Sequence, residues 1–231
     1  MQAHAIILKD NENSERGYEG IVSSNKRVGN DLEIHKFEAI TPDYVDATMK
    51  EHNIKWNYPW RGKEIDFATG LTKTAYKTKY PQRRIACALS HYLLWKRCMS
   101  LNMPILVLEH DAVFVKKLDF KPSDTNLWVL GINSPLGATR KAHDYYNQIN
   151  RNPQKFQFVP KIDDTTIPQG LAGNSAYIIK PTGAKHMVQL VKSYGLWPND
   201  ALMCKQLMPR MGVTKTFYTK VNTGMSSTTS S

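Results

Sequence analysis

The chain has 231 residues, 41% of them apolar, and carries 31 Lys and Arg against 20 Asp and Glu, a formal net charge of +11. This composition excludes a disordered or fibrous chain, supplies enough apolar material for one sizeable core, and makes an anionic partner the natural expectation. Cys87, Cys98 and Cys204 are odd in number and lack Cys-x-x-Cys spacing, which argues against a disulfide framework or a thiolate zinc site.

No apolar run reaches the roughly 18 residues needed to span a bilayer, and "MQAHAIILKDNENSER" lacks the basic flank and cleavage site of a leader. The expectation is a cytoplasmic protein. Residues 1–222 would form one domain, with the polar "TGMSSTTSS" of 223–231 as a surface tail.

In chain order, "HAIIL" at 4–8 reads as a buried strand ending in a polar loop at Lys9 and Asp10, and a helix is expected from Ser14 onward. "LEIHKFEAI" at 32–40 alternates as a second strand, and "TPDYVDATMKEHNI" opens a helix at Thr41 and Pro42. Residues 55–80 show no clean period and read as a long loop. Residues 84–101 are helical, with Ile85, Leu89, Tyr92 and Met99 on one face.

Strands follow at 104–108, 127–131 and 175–181, then a helix at 182–195 that ends on Gly195. Alternating strands and helices predict an α/β sandwich with a mostly parallel sheet, whose ligand site lies at the carboxyl ends of strands.

One such end is "ILVLEHDAVF", where an apolar run stops at Glu109, His110 and Asp111. Read as extended chain, Glu109 and Asp111 point to one side and His110 to the other. Two buried carboxylates need water, a salt bridge or a hard cation such as magnesium or manganese. Asp200 in "WPNDALM" precedes an apolar helical run, where it is either a helix N-cap or a general base.

Residues 61–84 interleave Lys73, Lys77, Lys79, Arg83 and Arg84 with Tyr76 and other aromatics. Three readings of that segment stand: a solvated face, a diphosphate-binding loop, or a polyanion surface. Ser90 and His91 are adjacent on a helix and diverge by about 100°, which excludes a serine-hydrolase pair.

In order along the chain, "RIACALSHYLLW", "ILVLEHDAVF", "GNSAYIIKPTGAKHMVQL" and "WPNDALM" resemble segments of the family 25 glycosyltransferases, which include lipooligosaccharide and collagen galactosyltransferases. His110 stands where the family has a middle acid, and Asn199 where it more often has Val. The resemblance implies a GT-A type fold, a nucleotide-sugar donor such as a UDP-sugar, a divalent manganese or magnesium ion, and inversion at the anomeric carbon.

By the same resemblance, Asp111 would contact the metal and Glu109 the metal or the ribose. Lys9 and Asp10 would meet the nucleotide base, and Ser90 and His91 would contact the donor or support those that do. Gly173 and Asn174 would let the donor sugar approach closely, and Asp200 would face the acceptor as base. The basic, aromatic segment favours hydroxymethylated DNA slightly over lipooligosaccharide as acceptor, since no helix carries a basic amphipathic face for a membrane. A nucleic-acid-binding protein without catalysis would explain the charge and leave Glu109 and Asp111 without a reason.

Overall fold

The computed structural model describes residues 1–76, 78–137, 141–171 and 173–222, so Lys77 and the expected tail at 223–231 lie outside the described residues. The strands are β1 Gln2–Ile7, β2 Ile34–Glu38, β3 Lys63–Asp66, β4 Leu71–Thr74, β5 Ile105–Glu109, β6 Ala112–Phe114, β7 Val129–Gly131, β8 Phe156–Phe158, β9 Ala176–Ile179, β10 Met211–Thr214 and β11 Thr219–Val221. The helices are α1 Glu12–Arg27, α2 Val45–Glu51, α3 Pro81–Leu101, α4 Ala142–Arg151, α5 Pro181–Tyr194 and α6 Asn199–Leu202.

Seven strands form the central sheet in the order β2-β1-β5-β9-β7-β10-β8. β2, β1, β5, β7 and β10 run in one direction and β9 and β8 oppose them, so the α/β sandwich with a mostly parallel sheet is present. The central strands are apolar on both faces because both faces are covered. Along β5, Ile105 and Val107 join the core beneath α3 and α5, while Leu106 and Leu108 join the core beneath α1. β9 divides in the same way, Tyr177 and Ile179 to one side and Ala176 and Ile178 to the other.

Local chemistry sets the element ends. The Asn11 side chain accepts from the Ser14 N–H at 2.9 Å and caps α1, and the Ser14 hydroxyl accepts from the Leu8 N–H, tying the end of β1 to the helix. α3 is buried around much of its circumference, with Ala88, Leu94, Trp95 and Cys98 inside together with Ile85, Leu89 and Tyr92, whereas Met99 is exposed, outside the expected stripe. α5 ends at Gly195, φ +79°, whose N–H reaches the Val191 carbonyl.

Two expectations fail for physical reasons. Residues 55–80 are not a plain loop: β3 and β4 form an antiparallel hairpin, hidden in the sequence because its pattern is inverted. Ile65 is exposed, while Asp66 and Lys73 are buried as an ion pair. The extended run through Glu109 and Asp111 is also broken, because His110 and Asp111 make a turn and β6 leaves the central sheet to pair with β11. A β-carbon at Gly17 would lie 2.2 Å from the His110 carbonyl oxygen, so α1 packs directly on this turn. The short strands β8, β10 and β11 and the amphipathic helix α4, which buries Tyr145 and Ile149, are additional to the expected elements.

His4, inside β1, is buried beside His35, and its Nε2 has no partner among the described residues. Burial first, then Arg97 and His35, push it down to about 4. Between that value and 6.5 the unfolded chain binds more protons than the folded one, so this contribution is complete above pH 6.5 and is lost as the pH falls toward 4. The loss amounts to about 3 kcal/mol at most. Urea unfolding at pH 7.5 and 4.5 should show a larger drop in stability for the wild type than for His4→Gln.

Candidate active site

The carboxyl end of β5 lies between the end of β1, where Ile6 pairs with Glu109, and the start of β9, where the Ser175 carbonyl accepts from the Glu109 N–H at 2.8 Å. Three carboxylates gather here. Asp111 is buried, and burial together with the nearby charge of Glu109 pushes it up to about 6. Asp200 is raised by burial and by Glu109, against the lowering influence of Tyr76 and Arg84. The turn at His110 and Asp111 therefore brings the acids together without the extended geometry expected for them.

Glu109 is held from within the core. The Trp95 indole N–H donates to the Tyr177 hydroxyl at 2.9 Å, His91 Nδ1 lies 2.9 Å from that hydroxyl, and His91 Nε2 lies 3.1 Å from Glu109 Oε1. The Glu109 carboxylate can only accept, so in the neutral ring Nε2 carries the hydrogen and donates to it, and Nδ1 accepts from the Tyr177 hydroxyl. His91 thus orients a site carboxylate and, being fully buried, is not placed to touch a donor. Ser90 is not a donor contact either: its hydroxyl accepts from the Ile40 N–H and donates to the Ala86 carbonyl, both within the fold.

Asp200 is not a helix cap. Pro198 occupies the cap position of α6, and Asp200 Oδ2 instead accepts from the Tyr76 hydroxyl at 2.9 Å. The Arg84 guanidinium stacks 4.7 Å from the centre of the Tyr76 ring, adding positive charge beside this pair. Asp200 Oδ1 and Asp111 Oδ1 are both buried and, among the described residues, have no hydrogen-bond partner. The side-chain oxygen and nitrogen of Asn174 share that condition.

A cavity of about 290 Å³ opens beside Asp200, lined also by Tyr76, Lys141, Tyr145, Gly173 and Asn174. It reaches the lower end of the range for ligand pockets, about 300 Å³. At its edge Lys141 pairs with Asp163 at 3.3 Å, a contact between two loops with no signature in the sequence. Gly173 has φ +73°, and the room beside it is filled by Asn133, whose Nδ2 would lie 2.5 Å from an added β-carbon. The side on which a β-carbon would stand is thus closed by packing, while Gly173 still borders the cavity.

The other expected residues divide. Lys9 and Asp10 are exposed after β1, with Asp10 at φ 57°. Lys79 and Arg83 are exposed, Arg83 over the Tyr80 ring. Lys73 is no polyanion contact: it is fully buried, pairs with Asp66 at 2.5 Å, donates to the Asn57 carbonyl at 2.9 Å, and sits 4.5 Å from the Trp197 ring centre. With Lys73 inside and Tyr76 and Arg84 turned to Asp200, the segment loses the continuous basic surface that a nucleic acid would need.

A hard cation suits the oxygen donors of Glu109 and Asp111, one of which is an unpaired buried carboxylate oxygen. Cys87, His91 and Glu109 also offer ligand atoms within 4.8 Å of one another. Burial and the nearby carboxylates push the Cys87 thiol up, however, and both His91 nitrogens already have partners. That trio is therefore a less ready donor set.

Residues 21–203 match the family described as glycosyltransferase family 25 (LPS biosynthesis protein). The chain belongs to this glycosyltransferase family. The GT-A type arrangement implied by the family 25 segments is the α/β sandwich described above.

A Haemophilus influenzae protein that carries a provisional glycosyltransferase name is 23% identical over 164 residues, covering 68% of this chain and 48% of its own. The chain thus spans about half the length of that curated relative. Mouse xyloside xylosyltransferase 1 in its apo form aligns at 9% identity over 91% of this chain and 83% of its own, with a TM-score of 0.44. The galactosyltransferase LgtC in complex with donor and acceptor sugar analogues aligns at 10% identity over 92% and 73%, with a TM-score of 0.45. Both are weak likenesses, and the family assignment does not draw on them.

The Lys73 ion pair carries a stability prediction. Removing one member of a buried pair strands the other charge, at a cost of about 3 to 5 kcal/mol. Urea unfolding should show a loss of that order for Lys73→Met, and Lys73→Met combined with Asp66→Asn should recover a good part of it.

Proposed function

We propose that this family 25 chain transfers a sugar from a nucleotide-diphosphate sugar, a UDP-sugar in the first instance, to a hydroxyl of a glycan acceptor, with inversion at the anomeric carbon. Residues 1–222 act as one catalytic domain in this reading. The observation that carries it is the gathering of Glu109, Asp111 and Asp200 at the end of the central strand, with two buried carboxylate oxygens free of protein partners.

Asp200 is the base. Its Oδ2 is held by the Tyr76 hydroxyl and its Oδ1 is free, so an acceptor hydroxyl entering the adjacent cavity meets an oriented, unshared oxygen. Burial raises Asp200 above the usual carboxylate range, which strengthens it as a proton acceptor while Arg84 keeps it from rising further. The acceptor oxygen forms its bond to the anomeric carbon as the bond to the diphosphate breaks. The proton goes to Asp200, and the nucleoside diphosphate leaves with the bonding electrons.

Glu109 and Asp111 would hold a manganese or magnesium ion, which when bound supplies positive charge against the departing diphosphate. His91 keeps Glu109 facing that position. In this reading Lys9 and Asp10, exposed after the neighbouring strand, border the nucleotide.

The reading is tested by release of nucleotide and by transfer to an acceptor panel of saccharides that also includes hydroxymethylated DNA. Asp200→Asn should lower kcat by about 100-fold or more with the donor KM little changed. Asp111→Asn should abolish stimulation by manganese. If no donor is turned over with manganese present and Asp111→Asn changes nothing, the transferase reading fails, and sugar added only to DNA would replace the glycan acceptor.

A further inference from the structure

Among the described residues, the β3–β4 hairpin presents an uncovered apolar tip. Phe67 is 96% exposed and Ile65 58% exposed, and Trp60 and Tyr80 nearby are also exposed. The pattern along β3 is the reverse of an ordinary surface strand. Asp66 turns inward to pair with the buried Lys73, and the exposed Glu64 lies 3.9 Å from the same ammonium on that side of the strand, so Lys63 and Ile65 share the other face.

The tip is also braced. Asp66 Oδ1 accepts from the N–H groups of Ala68 and Thr69 and from the Thr69 hydroxyl, the Asp66 carbonyl accepts from the Gly70 N–H at 2.7 Å, and the Thr72 N–H donates to the Thr166 carbonyl. A phenyl ring on a turn held this firmly gains little freedom from its exposure, and an uncovered apolar cluster is a docking feature.

Charge narrows the occupant. Arg61 and Lys63 are exposed just before and on β3, and Lys79 and Arg83 in the segment after β4, against Glu64 and, in the loop bonded to β4, Asp164. Aromatic and aliphatic side chains flanked by exposed cations match the interface of an anionic bilayer, where rings enter the boundary and the cations stay with the headgroups. We infer that the β3–β4 hairpin docks this protein on anionic membranes through Phe67 and Ile65, with Arg61 and Lys63 on the headgroups.

The placement serves the glycan-acceptor reading above. Tyr76, two residues beyond β4, holds the Asp200 carboxylate, so a docked hairpin brings the site to the surface from which a lipid-linked sugar projects. The basic surface for membrane approach that no helix carries is supplied by a hairpin.

The full chain should sediment with vesicles containing phosphatidylglycerol and not with pure phosphatidylcholine, increasingly so as salt is lowered. Ile65→Ser with Phe67→Ser should reduce the partition at least tenfold, and Lys63→Glu by about fivefold or more, corresponding to about 1 kcal/mol per surface charge. Both variants should keep the wild-type melting temperature and rate of nucleotide release. Vesicle binding does not depend on turnover, so loss of one result leaves the other standing.

The proposal is overturned by absence of binding to the anionic vesicles or by equal binding of the serine variant. It is equally overturned if Lys63→Glu abolishes binding to duplex DNA in a protein that ignores vesicles, or if the exposed tip proves to hold two copies of the chain together in sizing experiments.

Discussion

The hydrogen-bonded chain from Trp95 through Tyr177 and His91 to Glu109 is the constraint on which the rest of the site depends. It links α3, β9 and β5 through polar atoms that would be expensive to leave unpaired in a core. Because the Glu109 carboxylate can only accept, His91 Nε2 donates to it, Nδ1 accepts from the Tyr177 hydroxyl, and that oxygen accepts from the Trp95 N–H. The carboxylate at the end of a strand with both faces covered is therefore held by the core through one oxygen and stays partly exposed.

The second anchor is the buried Lys73. Its ion pair with Asp66, its bond to the Asn57 carbonyl and its place over Trp197 fasten the hairpin to the segment that carries Asp200. Tyr58 packs against both Trp197 and Tyr76, so the excursion of residues 55–80 forms one wall of the cleft. The basic segment thereby divides by role. Lys73 is structural, Arg84 and Tyr76 condition Asp200, and the exposed cations at the hairpin remain available for an anionic partner.

Much of this was legible in the sequence where burial imposes a pattern. β1, β5, β9, α3 and α5 could be read because central elements of a covered sheet must be apolar, and the end of β5 stood out because two acids interrupt such a run. The hairpin could not be read, since turning Asp66 and Lys73 inward and Ile65 outward reverses the rule on which pattern reading relies. The turn at His110 and Asp111 was hidden because it separates two strands that look like one in the sequence. Asp200 was legible as a residue of interest and not in its surroundings, because Tyr76 and Arg84 reach it from more than 100 residues away. The relay behind His91 had the same obstacle, with Tyr177 lying 86 residues farther on.

Among the described residues, the unpaired oxygen of Asp200 and the unpaired amide of Asn174 border one cavity, the unpaired oxygen of Asp111 lies just after β5, and all of them work against stability. Each such group costs about 1 to 3 kcal/mol when buried, a sum comparable to much of a domain's net stability. Unpaired buried atoms also occur elsewhere, at Gln2, His4, Asn25 and Asn30, while the Gln169 side chain alone serves the N–H groups of Ile162 and Asp163 and the carbonyls of Asp163 and Asp164. A fold able to arrange four such contacts around one glutamine could pair two aspartates as well. In the proposed reading a substrate completes Asp200 and Asn174 beside the cavity and a cation completes Asp111, while the relay and the Lys73 anchor hold that unsatisfied surface in place.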